Sequence, residues 1–199
     1  MQAPAIIDVL SRALPGDPGR FRAVESRDGM PTIFVDLGSL LAVSRVLRDD
    51  PALRFALLAD VIPIDFYPRE PRFEISYLLV CPAAGGFGDV PKRLRMKVAV
   101  DGNEPHAPSV SSVWSSADWA EREAYDLYGL YFDGHPDLRR ILMPDDWVGH
   151  PLRKDYPVQI RKETASWSPL QLTPEEFARN VRAGRDEAAR QAHPPDKGE

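Results

Sequence analysis

Cysteine is nearly absent from this chain of 199 residues: Cys81 stands alone. That excludes an intrachain disulfide, and any zinc or iron–sulfur site built from four cysteines of this chain. Also missing is a charge-free apolar run of ~18 residues, so no membrane-spanning helix is predicted. The opening stretch MQAPAIIDVLSRAL has no basic start and holds Asp8 within its apolar run, so it does not read as a signal peptide. A reducing, cytoplasmic setting follows. Gly85-Gly86-Phe87-Gly88 is followed by no Lys-Ser or Lys-Thr pair and fits neither a P-loop nor a dinucleotide fingerprint, so residues 81–91 read as a plain loop. A long basic footprint is lacking too. With 25 basic and 30 acidic residues and a net charge of −5, nucleic acid is a poor partner. The four histidines, His106, His135, His150 and His193, show no HExxH or i,i+4 pairing, so they do not read as a zinc set.

What is abundant is proline, 20 residues, which argues against an all-helical bundle. The length suits one domain with an appendage. Residues 5–14 place Ile6, Ile7, Leu10, Ala13 and Leu14 at helical spacing, and Pro15-Gly16 stops them. Residues 20–27 and 31–36 read as strands joined at Asp28-Gly29, a strong hairpin signal. A second helix is predicted over 38–49. Residues 55–66 are rich in β-formers but carry Pro63, which suits an edge or bent strand. Residues 73–79 and 94–100 alternate apolar and polar positions, as half-buried antiparallel strands do. The predicted fold is α+β, with helices on a largely antiparallel or mixed sheet and an extended irregular C-terminal tail.

A third helix is predicted over 116–128, capped by Ser115 or Ser116, with Asp118 in its first turn and Gly129 as its stop. On a wheel of ~100° per residue, Trp119, Ala120, Ala124, Leu127 and Tyr128 share an apolar face. Glu123 falls inside that face, so it pairs, neutralises, meets a partner's cation, or lies at the margin and reaches solvent. Glu121, Arg122, Tyr125 and Asp126 fall outside it. Beyond Gly129 periodicity fades, which predicts a folded domain over 1–133 and a partner-binding tail over 134–199. The tail carries an amphipathic helix near 174–191, opened by the capping box Thr173-Pro174-Glu175-Glu176, and a disordered end.

Residues 116–157 hold nine acidic and five basic side chains, so most of the net charge lies there. Within them Leu138-Arg139-Arg140-Ile141-Leu142 sets two arginines among aliphatics. Gly149-His150-Pro151-Leu152-Arg153-Lys154-Asp155-Tyr156-Pro157 sets two more cations between prolines. Two basic clusters after an acidic helix read either as solvated turns or as a docking surface.

Residues 121–157 closely resemble the signature of the 30-kilodalton, or C-type, subunit family of proton-pumping NADH:quinone oxidoreductase (respiratory complex I). The matching positions are Glu121, Arg122, Glu123, Asp126, Gly129, His135, Pro136, Arg139, Arg140, His150, Arg153, Lys154 and Asp155. The resemblance implies a non-catalytic subunit of the peripheral arm, in its unfused form, on the cytoplasmic side of the cell membrane. It implies packing on the quinone-site subunit, which resembles hydrogenase large subunits. It also implies no cofactor in this chain, with FMN and iron–sulfur clusters in partner subunits. The holoenzyme would pass electrons from NAD in its reduced form to quinone, coupled to proton translocation. An alternative within the resemblance is the equivalent subunit of a membrane-bound energy-converting hydrogenase or related dehydrogenase. A third reading, an acid/base hydrolase using Glu121, Glu123 and His135, is disfavoured because carboxylates at i and i+2 on a helix point roughly 200° apart.

Overall fold

The structure, a computed structural model, describes residues 2–16, 18–82, 91–102, 104–157, 173, 175–176, 178–179 and 181–183. Helix α1 runs over Ala3–Ala13 and α2 over Leu40–Asp49, the latter entered through a 3₁₀ turn at Leu37–Ser39. Strands β1 (Phe21–Val24), β2 (Thr32–Val35), β3 (Leu57–Asp65), β4 (Phe73–Cys81) and β5 (Lys92–Val100) form one sheet in the order β1-β2-β5-β4-β3. All pairings in it are antiparallel except β2 with β5. Three further elements complete the fold: β6 (His106–Pro108), α3 (Ala117–Tyr128) and β7 (Tyr131–Asp133), with β7 parallel to β6.

The alternation in β4 and β5 decides which sheet face is buried. Phe73, Ile75, Tyr77 and Leu79 lie beside Leu94, Met96, Val98 and Val100, all essentially buried. Ile6, Val9 and Leu10 of α1 and Leu40, Val43 and Leu47 of α2 join the same core. The other face carries Glu74, Ser76, Arg95 and Lys97, with Lys97 bonded to Glu74 at 2.8 Å. β3 is the edge strand predicted from Pro63, and its register slips between Leu58 and Asp60. A bulge and a proline both discourage pairing with a further strand.

The α+β fold with a mixed sheet stands as expected, but the domain boundary moves. One compact unit runs from Met1 to Tyr156 and a second from Pro157 to Glu199, so the boundary predicted after Asp133 falls inside the first unit. Residues 134–156 lack periodicity because polar groups of α3, of β3 and of Arg72 just before β4 hold them, rather than a repeating apolar stripe. In the second unit the capping box forms: Thr173 N–H donates to Glu176 Oε2 at 2.9 Å, and Glu176 N–H to Thr173 Oγ1 at 3.2 Å. Helical, exposed residues follow at 175–176, 178–179 and 181–183. The tip of the 81–91 loop, the helix end toward 191 and the C-terminal end lie outside the described residues.

Candidate functional site: a polar clasp around helix α3

Helix α3 is buried on two sides. Ala117, Glu121 and Ala124 face the core, while Arg122 and Asp126 face the segment 137–143. At ~100° per residue the mean directions of these two sides lie about 150° apart, so no single stripe describes the helix. The predicted apolar face is thereby corrected. Trp119 is 64% exposed, and Glu123 is exposed as well. A wheel treats carboxylates and guanidinium groups as outward-facing; here they turn inward because each serves groups distant in sequence. Trp119→Ala is therefore expected to shift the chain's unfolding free energy by less than about 0.5 kcal/mol, as exposed positions do. Urea melts of the full chain check this.

Asp126 is the centre of the arrangement. Its side chain is fully buried, and Oδ2 accepts from the backbone N–H groups of Ile141 (3.0 Å), Leu142 (2.7 Å) and Met143 (2.8 Å). Arg140 Nη1 donates to Oδ1 at 2.8 Å. Burial alone would raise its pKa, but these three amides and the Arg140 guanidinium outweigh it and hold the carboxyl below its ordinary value. Arg140 also reaches Gly149 O at 3.0 Å.

The next cluster caps the helix. The last carbonyls of an α-helix lack intrahelical partners. Here Asp126 O accepts from His150 Nδ1 (3.0 Å), Leu127 O from Leu152 N–H (3.0 Å) and Tyr128 O from Arg153 Nε (2.6 Å). The segment Gly149–Arg153 is thus a C-cap supplied from more than twenty residues downstream, with a cation on the negative end of the helix dipole. Burial pushes His150 below its ordinary pKa, against the hydrogen bond to Asp126 O, which acts to raise it. Gly129 takes the left-handed conformation at φ +70°, directly beneath His150 and Arg153.

A third contact ties down the end of the segment. Arg72, fully buried, bonds Asp65 through Nε (3.1 Å) and Nη2 (3.0 Å), and Asp155 through Nη2 (2.7 Å). Lys154 N–H donates to Asp65 Oδ2 at 2.9 Å. Two carboxylates raise the Arg72 pKa, and Arg72 in turn lowers that of Asp155. Neither Asp65 nor Arg72 is singled out by the sequence, since a pair closing a separation of 83 residues to Asp155 leaves no local pattern. The only hint is a cation immediately before the alternating strand β4.

Glu121 belongs to the core side. It is fully buried and accepts from Ser109 Oγ (2.6 Å) and Val110 N–H (2.7 Å). His135, whose side chain is also buried, accepts from Asp137 N–H at Nδ1, so Nε2 carries the proton and faces Asp118 O at 3.0 Å. Ser116 does not cap α3 with its side chain; its Oγ donates to Leu58 O at 2.8 Å. Burial, the largest influence, raises the Glu121 pKa from 4.5 to about 7. Between those values the folded chain holds a proton that the unfolded chain has released. This group's contribution to stability is therefore complete below pH 4.5 and is lost as pH rises through about 7. Glu121→Gln keeps the shape without the titration, so its stability relative to the parent is expected to rise by ~2–3 kcal/mol from about pH 5 to about pH 8. Urea melts at a series of pH values measure this.

The basic clusters are mostly not free docking groups. Arg140 and Arg153 are bonded inside the unit, Arg139 is 73% exposed and pairs with Asp137 at 2.9 Å, and Lys154 and Pro136 are exposed. The hydrolase constellation is not assembled, because Glu121 is sealed in the core and Glu123 lies outside. Among the described residues no group of three or more His, Cys, Asp or Glu is arranged to hold a metal, and no helix is long and apolar enough to cross a membrane.

Residues 33–162 match the family model described as respiratory-chain NADH dehydrogenase, 30 Kd subunit. That match covers more than half of the chain and includes the whole clasp. The chain belongs to this 30 Kd subunit family. The C-type subunit of NADH-quinone oxidoreductase from Saccharopolyspora erythraea is 49% identical over 131 residues, covering 65% of this chain and 50% of the relative. The chain thus spans about half the length of that relative. The corresponding subunit from Roseiflexus castenholzii is 41% identical over 158 residues, covering 78% of this chain and 84% of the relative. Among solved structures, a chain of the membrane-bound sulfane sulfur reductase, an archaeal respiratory membrane complex, shares the fold. It has a TM-score of 0.63 and 19% identity over 78% of this chain and 85% of that one. In this chain the clasp gives residues 121–155 a physical role: it caps one helix and holds one segment.

Proposed function

We propose that this chain is a non-catalytic subunit of the peripheral arm of a proton-translocating NADH:quinone oxidoreductase. It packs on the hydrogenase-like quinone-site subunit, on the cytoplasmic side of the membrane. The observation that carries the reading is the composition of the clasp. Its charged groups are taken up by the helix end and the segment 137–155, and among the described residues none converges on an open cleft. A family motif used to set a surface segment in place suits a part of an assembly better than a free-standing catalyst. Flavin and iron–sulfur clusters then reside in partner subunits, and this chain presents shape. The equivalent subunit of an energy-converting hydrogenase or related dehydrogenase is the second reading, favoured by the fold shared with the archaeal complex.

The test is affinity purification of the tagged chain from detergent-solubilised membranes. Copurification with an NADH-oxidising flavoprotein, together with a colourless and inactive isolated chain, is the expected result. Copurification with a hydrogenase or sulfur reductase and no NADH-oxidising component selects the second reading. A stoichiometric cofactor in the isolated chain overturns both.

A further inference from the structure

Arg122 stands apart from the other cations of the clasp. The residue is only 8% exposed. Its Nε donates to Arg139 O at 3.2 Å, and its guanidinium carbon lies 4.8 Å from the centre of the Trp119 ring. Arg72, Arg139 and Arg140 each pair with a carboxylate. Arg122 has no carboxylate within ion-pair distance among the described residues, and among them its only side-chain hydrogen bond is the one from Nε to Arg139 O. The carboxylate that an α-helix offers at i+4 is Asp126, which is already engaged by Arg140 and three amides. Asp118 faces His135, and Asp137 is held by Arg139.

A mostly desolvated guanidinium without a counter-charge is costly. Covering it is an indole that is 64% exposed, and an exposed tryptophan gains by being covered in turn. Trp and Arg together are among the side chains most enriched at binding hot spots. An inorganic anion would satisfy the guanidinium but leave the indole wet. A polypeptide segment carrying an acidic residue beside an apolar one satisfies both.

We propose that Trp119 and Arg122, flanked by Arg139, anchor an acidic side chain of a neighbouring protein subunit on the outer side of α3. The anchor rests on the reading of this chain as a subunit of a larger assembly. Trp119 lies outside the clasp, and Arg122 joins the two, with Nε bonded to Arg139 O and its guanidinium against the Trp119 ring.

The experiment expresses the tagged full chain beside the untagged parent and measures the share of each in the purified complex. Trp119→Ala and Arg122→Gln are expected to lower the incorporated share at least about tenfold, with Arg122→Lys falling between them and the parent. Trp119 is exposed, so Trp119→Ala keeps the test valid even if Arg122→Gln folds poorly. In parallel, a photo-cross-linking benzoylphenylalanine placed at exposed position 123 is expected to label one site on another subunit, within reach of an Asp or Glu. Normal incorporation of Trp119→Ala and Arg122→Gln overturns the anchor. So does a cross-link to lipid, to a second copy of this chain, or to a peptide without acidic residues. In all these outcomes the parent still joins the complex, so the subunit reading survives. If the parent joins no complex, the subunit reading fails and the anchor fails with it.

Discussion

Gly129→Ala is expected to destabilise the chain by about 2–5 kcal/mol. Two costs add. A non-glycine residue in the left-handed region loses roughly 1–2 kcal/mol, and forcing atoms into a packed site costs a further ~1–3 kcal/mol. The geometry calls for both, since φ is +70° and a Cβ would lie 2.5 Å from His150 Cδ2, 2.6 Å from His150 Nε2 and 2.9 Å from Arg153 Nη2. His150 and Arg153 cannot retreat without loosening their bonds to Asp126 O, Tyr128 O and Gly129 O at the helix end. Gly134→Ala is the control. Its φ is +83° but a Cβ there meets nothing within 4 Å, so only the backbone cost of about 1–2 kcal/mol is expected. Urea denaturation of both variants separates the two contributions. Equal losses would mean that His150 and Arg153 do not sit against the helix end.

Asp126→Ala is expected to cost about 3–5 kcal/mol, the range for removing one partner of a buried, hydrogen-bonded charge pair. Arg140 loses its carboxylate and three consecutive amides lose their acceptor at one stroke. Limited proteolysis should then open the chain within 137–155 before the sheet. Asp126→Asn keeps one acceptor oxygen and should lose less. A loss below about 1 kcal/mol for Asp126→Ala would mean that water replaces the carboxylate freely, as at an exposed site. By the same reasoning, a chain ending at Asp133 is expected to melt well below one ending at Tyr156, because it leaves Asp126 and the end of α3 without their partners and Arg72 without Asp155.

These two variants also mark where the sequence is legible. Alternation in 73–79 and 94–100, the Asp28-Gly29 turn, the edge position of the proline-bearing strand and the glycine stop of α3 are local signals, and each is realised in the structure. Burial on α3 is not local. Glu121 is buried because it serves Ser109 and Val110, and Asp126 because it serves residues 141–143. A helical wheel holds no information about either, and so it turns Trp119 inward and Asp126 outward. The segment 134–156 lacks periodicity for the same reason: hydrogen bonds from backbone amides demand no particular side chain at Ile141, Leu142 or Met143. The contiguity of residues 121–157 in sequence, by contrast, is a sufficient pointer to the family, and most of the clasp lies within it.

The amide protons of Ile141, Leu142 and Met143 in the free chain offer the most direct measurement. If the motif clasps its own segment, their hydrogen exchange is slow without any partner and accelerates in Asp126→Ala while the β4 and β5 amides stay protected. If they exchange at the rate of an unstructured peptide while the sheet is protected, the segment orders only on a partner, and the clasp is not a property of this chain.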